Sequence, residues 1–457
     1  MKRLLLAGGL ALALTLPARA ATVLTLDQAL QAGLADNPKI ETSRLDSDKA
    51  QLALSNAQWQ RLSYAGDISL GDEYGAQGLL SSQSPSSANI PVVDGTLSLQ
   101  VPLFTGFRIS GQISQAQAGL DYARANADDV RQQTIYDITQ AYWEARRAEL
   151  HAQEQADSLA QAGRSRDSVQ ASYEIGRVAA HELDRAQVSY DNQQSATIQA
   201  QEDAADARDK LAALLHRDLT GVSLADPPTR AAPATRPVST NAAIDPSQAI
   251  AQALRDRPDV RMAKAQVLMQ ESAVRVAEAD RWPQISLVSS YQQGNNPYIP
   301  VEQYRSVLSG FEGAWESQLQ LTYHFFDNGT ISRNIATNQD QLAASKAALE
   351  SVTRDAELAV RQALRHAALA QERLAIGTRG VALAHANFDW LSQRYKLGYA
   401  LFVDLESARV DLETAVDQDV DARIDAALAK AELDRALGRL ALPAPAGAAA
   451  PMHKETE

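Results

Sequence analysis

Thr96-Leu97-Ser98-Leu99-Gln100-Val101 and, far down the chain, Gln318-Leu319-Gln320-Leu321-Thr322-Tyr323 both alternate polar with apolar side chains. A period of two puts successive side chains on opposite faces of a strand, so each stretch predicts one strand of a two-faced sheet. Their expected partners are Asp67 to Tyr74 in the first half and Gln284 to Tyr291 in the second, where Ile285, Leu287 and Tyr291 share a face. The loops joining the partners, around 81–94 and 294–313, are rich in Ser, Asn, Gly and Pro. They are long for hairpins, and long loops on one side only are what outer-membrane barrels show outside the cell.

Working outward, each strand pair is followed by a turn, Phe104-Thr105-Gly106 or Phe326-Asp327-Asn328-Gly329, and then by a long proline-free stretch rich in Ala, Gln, Glu and Arg. Roughly sixty-five residues of this kind predict a helix about 95 Å long at 1.5 Å per residue. Each stretch stops at a shared signature, Tyr173-Glu174-Ile175-Gly176 or Tyr395-Lys396-Leu397-Gly398, where glycine can end a helix in a left-handed turn. Leu183, Ala186 and Tyr190, like Leu405, Ala408, Leu412 and Ala415, then keep the three-and-four spacing of a returning packed helix. A coiled hairpin results in each half.

Upstream, Thr25-Leu26-Asp27-Gln28 and Asp245-Pro246-Ser247-Gln248 each place Gln three residues after a capping residue, the mark of a helix start. Asn37-Pro38 and Arg257-Pro258 each end one helix and begin another, because proline disfavours the helical region in the residue before it. The landmarks recur in one order at an offset of about 220 residues, so the chain reads as a twofold internal repeat. The helix after Pro38, roughly 24 residues, and the returning helix from Ala180 to His216, roughly 37, together nearly equal the long helix, so two short helices could stack beside one long one.

The expected organisation is a secretion signal at 1–20, a first repeat at 21–224, a Pro- and Ala-rich linker at 225–244, a second repeat at 245–442 and a flexible tail at 443–457. The signal is read from Lys2 and Arg3, the apolar run Leu4 to Leu16, and Ala18-Arg19-Ala20. No other stretch approaches the length of a spanning helix, so a membrane role would need strands. Four strands per chain cannot close a barrel and open edges are not tolerated in lipid, so closure needs several chains. Two copies would supply about eight strands and three about twelve.

Composition narrows the classes further. A formal charge of -13 and a pI near 5.1 argue against nucleic acid as a partner. The absence of cysteine removes disulfides, thiolate metal sites and a lipid-bearing cysteine. The seven histidines are scattered, and no His-Glu-x-x-His, phosphate-cradling loop or nucleophile elbow occurs, so no enzyme, catalytic residue, metal or cofactor is expected. His181-Glu182 is only a dipeptide at a hairpin tip. A soluble periplasmic coiled-coil scaffold or adaptor would share the signal and the hairpins, but has no use for a two-faced sheet.

The ordered pair of tips, Tyr173-x-x-Gly176 with Leu183-x-x-Ala186 and Tyr395-x-x-Gly398 with Leu405-x-x-Ala408, resembles the TolC family of outer-membrane efflux proteins, as do the proline landmarks and strand pairs. The resemblance covers nearly all of the mature chain. It implies a mostly α fold with a small β part: a homotrimer with a twelve-stranded β-barrel in outer-membrane lipid and a periplasmic α-barrel of coiled hairpins. It also implies a periplasmic adaptor and an inner-membrane transporter as partners, in drug efflux or type I secretion. Gly176, Arg177, Val178 and Leu183, with Gly398, Tyr399, Ala400 and Leu405, then match adaptor-contact positions, and Tyr395 and Asp404 match the gate. Two positions depart: Ala400 stands where some relatives carry a basic gate residue, and Ser407, beside Glu406, stands where a second acidic ring residue is found.

Overall fold

The computed structural model describes residues 23–35, 37–61, 63–76, 87–226, 245–295 and 311–440. The expected signal, nearly all of the linker, the tail and the middle of both strand-joining loops lie outside these residues. The described chain is mostly helical, with few strands. In chain order the elements are β1 (Val23–Leu24), α1 (Leu26–Ala35), α2 (Pro38–Trp59), β2 (Ser63–Ala76), β3 (Ser87–Phe104), α3 (Arg108–Glu174), α4 (Ala180–Leu215) and β4 (Ser223–Leu224). There follow α5 (Pro246–Asp256), α6 (Pro258–Glu278), β5 (Gln284–Asn295), β6 (Phe311–Thr322), α7 (Thr330–Lys396) and α8 (Phe402–Ala436).

The boundaries follow local chemistry. At the start of α1 the Thr25 N–H donates to Gln28 Oε1 at 3.2 Å and the Gln28 N–H to Thr25 Oγ1 at 3.4 Å, a reciprocal capping box. Pro38 and Pro258 open α2 and α6, where a missing N–H costs nothing. Asp327 starts α7 by accepting the N–H groups of Gly329 at 3.1 Å and Ile331 at 2.6 Å, and these bonds hold its carboxyl below the usual carboxylate range. Both long helices run 67 residues, about 100 Å, and no described helix is long and apolar enough to cross a membrane.

The chain divides into two compact units, to both of which α3 and α7 contribute. One comprises Pro38–Val130 and Pro246–Val360 and holds a four-stranded sheet of order β2-β3-β5-β6, antiparallel throughout. Register places Leu97 opposite Tyr291, Val101 opposite Leu287, Leu287 opposite Leu319 and Ile285 opposite Leu321. One face therefore carries Leu97, Leu99, Leu287, Leu319 and Leu321, all exposed. The other carries Thr96, Ser98, Gln100, Ser286, Ser290, Gln318 and Gln320. On the apolar face the stray polar groups satisfy one another: the Ser289 and Ser317 hydroxyls lie 2.8 Å apart, and Trp315 Nε1 donates to Ser317 Oγ at 3.0 Å. β2 and β6 each have one neighbour, so both outer edges of the sheet are unpaired among the described residues.

The other unit comprises Met1–Asn37, Arg131–Asp245 and Arg361–Glu457. Its core gathers Ala29 and Leu30 of α1, Ile135, Ile138, Tyr142 and Trp143 of α3, Leu211 and Leu215 of α4, and Ile424 of α8. Beside this core β1 and β4 form a two-stranded parallel sheet, which the sequence did not announce. Tyr142 pins it. Its hydroxyl lies 2.9 Å from the Leu24 carbonyl and 3.1 Å from the Ala225 carbonyl, and accepts the Ala225 N–H at 2.9 Å. Burial pushes this phenol up to about 12, so it stays a donor at any physiological pH. Tyr142→Phe removes one partner from these groups but leaves the Ala225 N–H on the Leu24 carbonyl at 3.0 Å, with an expected loss of about 1 kcal/mol in denaturant unfolding. An unchanged midpoint would mean that water replaces the hydroxyl.

Candidate functional site

The long helices end in the same device. After α3, Gly176 takes φ +73°, its N–H reaches the Tyr173 carbonyl at 2.9 Å, and the Arg177 N–H reaches the Ser172 carbonyl at 2.9 Å. After α7, Gly398 takes φ +79°, with the Gly398 N–H on Tyr395 at 3.0 Å and the Tyr399 N–H on Arg394 at 2.9 Å. This pairing of a five-to-two with a six-to-one bond is a Schellman motif. A Cβ added at either glycine meets nothing within 4 Å, so backbone conformation, not crowding, calls for glycine.

The two tips are built differently beyond that point. Val178 and Leu183 of the first tip pack with Tyr395 against buried Val169 and Ala186. Burial, then the nearby Glu182 carboxylate, pushes the Tyr395 phenol up. At the second tip the Leu401 N–H donates to Asp404 Oδ2 at 3.3 Å, so this carboxylate caps α8, where the helix dipole favours it. Gly176, Arg177, Gly398 and Tyr399 are exposed, while Ala400 and Leu405 are half-buried. The structure thus brings Val178, Leu183 and Tyr395 together and leaves the other expected residues at the surface or along the turns. Sequence reasoning passed over Ile175, Leu397, Leu401 and Val403, whose apolar side chains are also exposed; Leu397 and Leu401 are each 71% accessible. Apolar residues inside a turn signature were the available signal.

Between α4 and α8 lies a groove of about 430 Å³ lined by Arg185, Ser189, Val403, Glu406, Ser407 and Asp411 among others. Two of its lining residues, Ser189 and Glu406, belong to a part-buried network. Arg409 pairs with Glu406 at 2.8 Å and Glu413 at 3.1 Å, Ser189 donates to Glu406 at 2.8 Å, and Gln155 donates to Glu413 at 2.9 Å. Burial pushes the Glu406 carboxyl up, but the Arg409 guanidinium and Ser189 outweigh it and hold the group below its ordinary value.

From there α8 presents acids every four residues, Glu413, Asp417, Asp421 and Asp425, to Gln155, His151 and Arg147 of antiparallel α3. His151 Nδ1 lies 2.8 Å from Asp417 and Nε2 3.3 Å from Asp421; the Asp417 bond raises this imidazole to about 9 against the effect of burial. Beside them burial, and then Asp417, pushes Glu154 up to about 8, while Asp417 itself is lowered. Among the described residues, His151, Glu154 and Asp417 are the group whose ligand atoms lie close enough to hold a metal ion.

Residues 29–216 and 249–439 match the outer membrane efflux protein family. The chain belongs to that family. The outer membrane efflux protein BepC of Brucella suis biovar 1 is 24% identical over 348 residues, 76% of this chain and 72% of BepC. Among solved structures, the Campylobacter jejuni outer-membrane channel CmeC superposes with TM-score 0.75 at 15% identity, covering 91% of this chain and 85% of that one. The outer-membrane channel OprN gives TM-score 0.74 at 22% identity, covering 90% and 89%. These likenesses establish the fold as that of TolC-family channels. This outer membrane efflux protein is accordingly a channel of the outer membrane with a helical periplasmic tunnel, and not a soluble scaffold.

Gly398→Ala forces a side chain into the left-handed region and is expected to cost about 1–2 kcal/mol in thermal unfolding, with Gly398→Asn recovering part of it. Equal losses for both would assign glycine another role. A depressed Glu406 contributes stability that is complete above its unfolded-state value of about 4.3 and is lost as pH falls through the lower folded value. Glu406→Gln should flatten that acid limb in a circular-dichroism titration, and superimposable limbs would remove Glu406 from it.

Proposed function

We propose that three copies of this chain close a twelve-stranded β-barrel in the outer membrane, each giving β2, β3, β5 and β6, and continue it as a tunnel of helical hairpins. The observation that carries this reading is the sheet with one apolar exposed face, one polar face and two unpaired edges. Lipid contact suits the first face and a water-filled lumen the second, and only a closed ring satisfies the edges. Twelve strands rather than eight follow from the resemblance to the TolC family. The fourfold sheet arises from a duplicated unit, whose succession of two helices, two strands, a long helix and a returning helix occurs twice in the chain. We assign the domains accordingly: repeats at 21–224 and 245–442 with a linker between them.

The tunnel conducts passively. An inner-membrane transporter loads it through a periplasmic adaptor, as in tripartite efflux or type I secretion, and the adaptor meets the tips at Gly176, Arg177, Val178, Leu183, Gly398, Tyr399, Ala400 and Leu405. Tyr399, 72% accessible, and Leu397 and Leu401 beside it offer the adaptor apolar contact area. Tyr395 and Asp404 form the gate, three Asp404 carboxylates making a ring that repels itself and attracts cations.

Native mass spectrometry of protein extracted from outer membranes is expected to show a trimer; a monomer or dimer would sink the twelve-stranded barrel. Leu321→Arg on the apolar face should cost about 2–4 kcal/mol if it sits near the bilayer midplane and reduce recovery in the outer membrane, whereas Gln320→Arg on the polar face should be tolerated. The reverse order would invert the assignment of the faces. Asp404→Asn keeps a capping acceptor while removing the charge, so it should weaken cation block of single-channel current without loosening α8. Unchanged block would take Asp404 out of the gate.

A further inference from the structure

Away from the tips, one place in the helices gathers ligand chemistry that a passive duct does not use. His151 and Glu154 stand one turn apart on α3, and Asp417 reaches them from α8. Their ligand atoms lie within 4.8 Å of one another. A second observation is independent of that spacing: Glu154 Oε2 is buried, and among the described residues no hydrogen-bond partner reaches it. A third concerns the imidazole. Its Nδ1 faces Asp417 at 2.8 Å while its Nε2 lies 3.3 Å from Asp421 Oδ1, the oxygen that Arg147 Nε also approaches at 3.3 Å. With Nε2–H directed at Asp421, a metal that displaces the Nδ1 proton now given to Asp417 finds that nitrogen already oriented.

The donor set selects the ion. One nitrogen and two carboxylate oxygens suit zinc and its first-row neighbours, whereas calcium and magnesium take oxygen almost alone. Two carboxylates match a divalent charge. Bonds of about 2.0–2.1 Å in a tetrahedron put ligand atoms about 3.3 Å apart, so the Nδ1–Asp417 pair, now 2.8 Å, opens slightly and the wider pairs close, by changes in side-chain torsion rather than backbone.

We propose that His151, Glu154 and Asp417 bind a first-row divalent transition-metal ion that bridges α3 to α8, with Asp421 as the outer carboxylate that orients His151. The fourth position belongs to water. Such an ion fastens the helix returning from the second tip to the helix that runs down to the first, in the same seam as the ion pairs of Arg147 and the Gln155–Glu413 bond.

The test is calorimetric titration of untagged, chelator-treated, full-length protein in detergent with Zn²⁺. One ion per chain is expected, with His151→Gln and Glu154→Gln each lowering affinity at least tenfold and Asp421→Asn lowering it about tenfold to a hundredfold. His366→Gln, at an exposed histidine paired with Glu432, should leave it unchanged. Absence of saturable Zn²⁺ binding by the unmutated protein, or equal affinity in the Gln variants, overturns the proposal and leaves the group as an ion-pair cluster. Because a variant could fail to fold, Co²⁺ added to the unmutated protein gives a second reading. A visible ligand-field band of tetrahedral type, bleached by one equivalent of Zn²⁺, supports the site, and its absence counts against it.

Discussion

A β-sheet that is apolar on one face and open at both edges cannot rest as it stands. Each unpaired N–H and C=O along β2 and β6 would cost several kcal/mol in hydrocarbon, and water cannot reach it there. Much else in the chain answers to that constraint. The exposed leucines of β3, β5 and β6 have no partner in the unit they belong to, yet they stand in register across three strands, which is what a surface meant for lipid requires. The serine and tryptophan groups that fall on that face bond with one another, as polar groups in an apolar solvent must.

The helical unit solves a different problem with different chemistry. Long alanine-rich helices bury little apolar area per residue, and the register of α8 against α3 is set instead by polar pairs every four residues, from Gln155–Glu413 to Arg147–Asp425. A polar seam of this kind specifies which faces of α3 and α8 meet, because rotating either helix leaves part-buried charges unmatched. Near the tip the seam ends in Arg409, whose guanidinium is nine-tenths covered and bound by two glutamates. The tips themselves are economical: a left-handed glycine and two backbone bonds reverse the chain, and Tyr395 ties the second tip to the packing of the first.

Much of this was legible in the residues. Alternation at Thr96 to Val101 and Gln318 to Tyr323 marked strands because period two has one structural meaning, although the strands run longer, into stretches such as Gly71 and Pro91 where alternation fades. Thr25 with Gln28, Pro38, Pro258, Gly176 and Gly398 marked helix ends because each acts within one turn of itself. The four-residue spacing of acids on α8 was equally visible, but an acidic stripe on a helix reads as a solvated face until its neighbour is known.

Sequence alone therefore determined where the long helices begin and end, which stretches form the core of the strand pairs, and that family resemblance runs through both halves, since these depend on contacts a few residues apart. Only the tertiary structure decided what meets across hundreds of residues: β3 beside β5, Val23–Leu24 beside Ser223–Leu224, and His151 and Glu154 beside Asp417. Local propensity carries no information about such pairs, because they are chosen by burial and charge matching between segments whose separation in the chain leaves no periodic trace.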